Sequence, residues 1–210
     1  MYVKKRIFVL VAGILGIALM SGCSSSPKVT RVDADTQVDL SGRWNDTDVR
    51  QVSESLIDAC LTSQRVSQYI QEYASQHNGE IPTVLVGSFK NTSSEHIDTS
   101  IISKMMENAI INSGKLDFVA GGDTRSELRT ERQDQQGNAS EETASAIGNE
   151  TGANFLLTGS VKAIVEKQGN TSVRSYFVDA QLTNIETNRI LWSDQNSDIK
   201  KVIQQPKAKL

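Results

Sequence analysis

Between Pro82 and Val119 the chain carries the pattern of a β-α-β unit, and no other stretch limits the possible folds as much. Thr83-Val84-Leu85-Val86-Gly87-Ser88-Phe89 is a β-branched, apolar run of strand length, and its continuous apolar character predicts a strand covered on both faces. After the polar loop Lys90-Asn91-Thr92-Ser93-Ser94, the residues Ile97, Ile101, Ile102, Met105, Ala109 and Ile110 recur at helical spacing. Ser94 or Asp98 would cap that helix, and Asn112-Ser113-Gly114 would stop it. Leu116-Asp117-Phe118-Val119 follows as a second strand. Such a unit normally pairs its strands in parallel through a right-handed crossover.

Upstream, Asn45 or Asp46 can cap a helix whose first turn holds Asp48, a charge suited to the positive end of the helix dipole. Val49, Val52, Leu56, Ala59, Cys60, Val66, Ile70 and Tyr73 then predict one amphipathic helix from Asp46 to about Tyr73, ending near His77-Asn78-Gly79. Trp44 is placed to staple the start of the domain. Cys60 falls on the apolar side, where a thiol acts as a small buried hydrophobe.

Downstream, Gly121-Gly122 leads into Thr124 to Gln136, a charge-alternating helix with a solvated face. A further helix is expected from Glu141 to Thr151. Phe155 to Val165, the turn Gln168-Gly169-Asn170-Thr171 and Ser175 to Leu182 read as a hairpin. In its second strand Tyr176, Val178, Ala180 and Leu182 alternate with Phe177, Asp179, Gln181 and Thr183, as in a strand with one wet face. A second turn at Glu186-Thr187-Asn188 leads to Arg189-Ile190-Leu191-Trp192-Ser193, which makes the C-terminal part an antiparallel meander. Trp192 is expected in the core. The residues from Lys200 to Leu210 read as a basic, frayed tail.

The N-terminus sets the compartment. Lys4, Lys5 and Arg6 precede an apolar segment from Ile7 to Met20, the n-region and h-region of a secretory signal. The segment is shorter than the about 20 residues a transmembrane helix needs. Leu19-Met20-Ser21-Gly22-Cys23 resembles the lipobox of bacterial lipoproteins. The resemblance implies cleavage between Gly22 and Cys23, lipidation of Cys23 and, because Ser24 follows, an outer-membrane destination on the periplasmic side. The organisation expected is then a signal peptide over 1–22, a lipidated N-terminus and flexible tether over 23–43, a single globular domain with an N-terminal helix over 44–199, and the tail over 200–210. At full extension the tether reaches at most roughly 70 Å, at about 3.5 Å per residue.

Charge and composition exclude several functions. The formal net charge is −3, and it falls to about −6 without the signal's three basic residues, which disfavours nucleic acid as a partner. If Cys23 carries lipid, Cys60 has no partner for a disulfide. His77 and His96 are the only histidines and lie in no Cys/His cluster, so no metal site is expected. There is no P-loop, no G-x-S-x-G and no dinucleotide fingerprint. Glu166, Asp179 and Asp194 lie on or beside strands, but their spacing selects no catalytic pair. No catalytic residue, cofactor or small-molecule substrate is therefore expected.

Several stretches taken in order resemble the LpoB family of outer-membrane lipoproteins, which activate a class A penicillin-binding protein. They are Val84 to Thr92, Asn108 to Val119, Ala146 to Ser160 and Thr187 to Ser193. The resemblance implies an α/β fold, a sandwich of a mixed β-sheet with helices like the TolB N-terminal domain, closing with the antiparallel meander. It also implies a non-enzymatic regulator that docks on a peptidoglycan synthase. No partner-contact residue can be placed by motif. The alternative is an envelope lipoprotein of the same fold serving secretion or assembly of a cell-surface machine, as the CsgG-like and flagellar lipoproteins do.

Overall fold

The computed structural model describes residues 29–34, 36–140 and 150–206. The helix expected from Glu141 to Thr151 falls largely outside them. The chain divides into a short unit ending at Thr36 and a compact unit that starts at Gln37. In the first, the Thr36 amide donates to the Asp33 carbonyl at 3.0 Å in a single turn.

The compact unit holds four described helices and a six-stranded mixed sheet. Helix α1 spans Asp46–Thr62 and α2 Gln64–Gln76; strand β1 is Thr83–Asn91, helix α3 Ser100–Ser113, strand β2 Asp117–Phe118 and helix α4 Gly122–Asn138. Strands β3 (Phe155–Gln168), β4 (Thr171–Asn184), β5 (Ile190–Asn196) and β6 (Lys200–Gln204) complete it. The sheet order is β2-β1-β3-β4-β5, with β6 paired to the far half of β4. β1 lies parallel to both β2 and β3, and the remaining pairs are antiparallel. The β-α-β unit and the meander therefore form as the sequence predicts.

One face of the sheet carries the core. Val84, Phe89, Phe155, Leu157, Val161, Tyr176, Val178, Ala180, Leu182 and Trp192 point toward α1, α2 and α3. Val49, Val52, Leu56 and Cys60 meet them from α1, Val66 from α2, and Ile102, Met106 and Ile110 from α3. Burial pushes the Cys60 thiol up to about 12, which keeps it protonated and unreactive. Trp44 sits at the margin of this core with its ring edge-on to Tyr176, 5.2 Å between centroids.

Four expectations need correction. The long helix is two helices, because Ser63 ends α1 and caps α2 with its side chain, accepting from the Val66 amide at 3.4 Å. The sequence holds the reason: the apolar stripe jumps from Cys60 to Val66, and a continuous helix would turn Ser63 and Ser67 toward the core. In α3 the buried stripe is Ile102, Met106 and Ile110, whereas Ile101 is exposed and Met105 half-buried. No side chain caps α3; Asp98 instead accepts from the Ser100 amide and hydroxyl just ahead of it, and Gly114 closes the helix at φ +61°. Finally, Lys200 to Gln204 is not frayed but adds to the sheet, with Ser175 opposite Lys200 and Thr171 opposite Gln204.

Candidate functional site

Gly22 and Cys23, the residues expected at the signal cleavage and lipid site, lie outside the described residues. The expected tether, by contrast, is bound to the domain from Gln37 to Arg43. The Lys201 ammonium donates to Asp39 (2.5 Å) and to the Arg43 carbonyl (3.0 Å), and pairs with Asp48 at 2.7 Å. The Asn45 amide donates to the Val38 carbonyl and to Asp39, while its oxygen and the Asp48 carboxylate form a capping box on α1. Gly42, at φ +65°, lets the backbone press on Ile203, whose Cγ1 would stand 2.3 Å from any added Cβ. Lys201, on the strand the sequence reading takes for a tail, is thus the residue that straps the tether down. The hydrogen bond from Lys201 holds the Asp39 carboxyl below its ordinary value. Burial pulls Lys201 down, but its bonds to Asp39 and Asp48 outweigh that and hold it above its own.

A second polar cluster fixes the loop after β1. The Glu95 carboxylate accepts from the Tyr176 hydroxyl at 2.9 Å, from the Arg174 guanidinium and, at 3.4 Å, from the Trp44 amide. Burial, with Glu95 beside it, pushes the Tyr176 phenol up to about 12. The cluster draws the loop under the inner face of β4. The carboxylate joins the phenol to one arm of the guanidinium, whose buried Nε has no partner among the described residues, and the cluster serves as an internal brace.

Among the described residues, no helix packs extensively along the other face of the sheet. There Leu156, Thr158, Ser160 and Lys162 of β3 stand opposite Thr183, Gln181, Asp179 and Phe177 of β4. Ser160 and Lys162 both donate to Asp179, at 2.8 and 2.9 Å. Leu85 of β1 belongs to the same face and is half-buried, as is Val86 on the core face, whereas Thr83 and Val84 are buried, so the cover expected on both faces is complete only at the start of the strand. Gly121 closes the β1 end: a Cβ there would meet Leu85 Cδ1 at 2.4 Å, which explains one glycine of the Gly121-Gly122 pair by packing. Helix α4 buries none of its residues; Arg129 and Arg132 reach Glu150 at 2.9 and 3.2 Å.

A cleft of about 780 Å³ opens at the other end, between α2, the start of β3 and the β4–β5 turn. Tyr69, Tyr73 and His77 line it from one side and Asn154 and Arg189 from the other. His77 stacks on Tyr73 with 3.9 Å between ring centroids, and its Nδ1 lies 2.9 Å from the Tyr73 carbonyl. The carboxylates considered from sequence do not converge. Glu166 lies opposite Val173 on β4, Asp179 is taken by Ser160 and Lys162, and Asp194 bonds the Gln195 amide. Among the described residues, no group of three or more His, Cys, Asp or Glu side chains is arranged to hold a metal ion.

The fold is an α/β domain in which a mixed sheet carries helices on one face, while two polar clusters brace the loop after β1 and the N-terminal strap. The sequence profile described as "Peptidoglycan-synthase activator LpoB" matches residues 48–197, and the chain belongs to that family. Among solved structures, it is similar to the C-terminal domain of LpoB from Salmonella enterica, with 18% identity over 75% of this chain and 99% of that one and a TM-score of 0.40. The C-terminal domain of LpoB from Escherichia coli is matched at 19% identity over 67% and 98%, with a TM-score of 0.34. The lipoprotein GNA1162 from Neisseria meningitidis is matched at 19% over 60% and 88%, with a TM-score of 0.36. No curated protein matches the sequence.

Proposed function

We propose that the chain is a periplasm-facing lipoprotein, anchored in the outer membrane through Cys23, that binds and activates a class A penicillin-binding protein. Membership of the peptidoglycan-synthase activator family over residues 48–197 is the observation that carries this reading. The domain acts as a regulator and not as an enzyme. Activation of this kind is a population shift: the domain must bind the active form of the synthase more tightly than the idle form, and the rate gain is limited by that difference.

The strap bears on reach. With Gln37 to Arg43 held by Lys201, at most the residues 24–36 remain to bridge from Cys23 to the domain, and their greatest reach is roughly 45 Å. The test is a pull-down from detergent-solubilised envelopes with the tagged protein, followed by a glycan-polymerisation assay on any synthase recovered. Recovery and acceleration of a class A synthase is the expected result. Recovery of a secretion or motility component instead would replace this function with that of an envelope-assembly lipoprotein. For the anchor, Cys23→Ala should move the protein out of the membrane fraction, and retention there would rule out lipid as the main attachment.

A further inference from the structure

The hairpin of β3 and β4 runs well beyond the helices. β1 follows β3 only as far as Asn91, which lies opposite Val161; the Thr92 amide and hydroxyl then both donate to the Val161 carbonyl. There the chain leaves the sheet, because the bonds of Glu95 to Tyr176 and Arg174 pull the loop beneath the inner face. From Lys162 to Gln168, β3 is paired with β4 on one side, and among the described residues no strand lies along the other. Alternate amide and carbonyl groups of this edge are therefore presented to solvent, a ready template for another strand.

The side chains around the edge say what kind of strand it suits. Ile164 and Val165 are exposed on it, and Val202 is exposed on the same three-stranded end of the sheet. Ile164, Ser175 and Lys200 stand side by side across β3, β4 and β6. The side chains of Lys90, Lys167 and Lys200 are exposed and, among the described residues, make no hydrogen bond or ion pair, so their charges are free to meet a partner's. Lys162 adds a fourth cation, shared with Asp179, and Glu166 is the one acid on the edge itself. This basic rim sits on a chain whose net charge is negative.

We propose that the free edge of β3 from Lys162 to Gln168 is a strand-addition site for an extended, acidic segment of the protein this domain docks on. Backbone hydrogen bonds to the edge supply affinity, Ile164 takes an apolar side chain from the added strand, and the lysine rim selects for acid. The proposal rests on the docking function above, and it names the place and chemistry of that docking. A second copy of this chain fits the rim less well, since it would bring its own lysines to it.

The test uses the full chain in detergent, with amide hydrogen exchange followed residue by residue. Four samples are compared: the chain alone, with a class A synthase from the source cell, with a synthetic peptide that alternates Val with Glu, and with one that alternates Val with Lys. Exchange at 162–168 should slow at least about tenfold with the synthase and with the Glu peptide, and stay unchanged with the Lys peptide. The triple variant Lys90→Glu, Lys167→Glu, Lys200→Glu should weaken binding about tenfold and flatten its salt dependence. Its melting temperature should not move, because none of the three side chains has a partner to lose. Synthase binding with unchanged exchange at 162–168 would overturn the site and leave the activator function standing. Protection by the Glu peptide without any synthase binding would do the reverse. Protection that grows with the chain's own concentration would make a second copy the occupant and would also overturn the proposal.

Discussion

Strands β3 and β4 pass through two different environments, and the two halves of each behave as different kinds of strand. In the near half of β3, Phe155, Leu157 and Val161 are buried at near-regular alternation; in the far half, from Lys162 to Gln168, Ala163 alone is even half-buried. β4 repeats the contrast, with Tyr176, Val178, Ala180 and Leu182 buried and Thr171 to Ser175 partly open. The hydrogen-bond ladder between them is continuous from Phe155–Asn184 to Gln168–Thr171, so strand pairing does not make the difference. Neighbours do: the near half has β1, β5 and three helices against it, and the far half has β6 and the strap. A strand becomes core or interface according to what covers it.

The contrast breaks most sharply at Leu56, which is fully buried against the near half. Leu56→Asp places an unpaired carboxylate there and should cost about 4 kcal/mol or more, enough to abolish the cooperative thermal transition. An unchanged melting temperature would show that α1 is peripheral. At the junction of the halves, Glu95→Ala leaves Arg174 and the Tyr176 hydroxyl without their shared acceptor. A loss of about 3 kcal/mol is expected in denaturant titration, since the stranded guanidinium is largely enclosed. Lys201→Ala removes the strap and leaves Asp48 short of a partner, for about 2 kcal/mol. It should also make the backbone from Gln37 to Arg43 open to protease and fast in amide exchange.

A weaker effect is set by pH. The Asp39 carboxyl is held below its ordinary 3.8 by Lys201, so its contribution is present above that pH and is lost as pH falls below it. Lys201 is shifted the other way, so its contribution is present below 10.5 and is lost as pH rises through its higher folded value. Protease sensitivity at Gln37 to Arg43 should therefore rise at both extremes in the native chain, and Lys201→Ala should remove both dependences. Smallest of all, Ile164→Asp on the far half should change stability by no more than about 0.5 kcal/mol, because the side chain is already in water. A large loss there would show that the edge is covered in the isolated protein.

Much of this was legible in the residues. Thr83 to Val119 announces its β-α-β unit through local signals alone: a β-branched run, a 3.6-residue stripe and Gly114. The alternation from Tyr176 to Thr183 names the buried and the wet face of β4 correctly. Other features were legible but easy to misjudge, such as the six-residue step from Cys60 to Val66 that divides α1 from α2. The bracing residues had no such signal. Glu95, Arg174 and Lys201 look like ordinary surface charges, and their partners lie far along the chain at Tyr176, Glu95, and Asp39 and Asp48.

What the sequence by itself determined is therefore the order and type of most elements, the composition of the core and, through its motifs, the family to which the chain belongs. Those properties depend on spacing within one segment, where periodicity and turn chemistry act. Only the tertiary structure decided that Lys200 to Gln204 is a strand, that the tether is strapped from Gln37, and that β3 outruns β1 after Val161. Each of these depends on which distant segment arrives alongside. A free edge, an ion pair or a covered face is a relation between segments, and no local pattern encodes it.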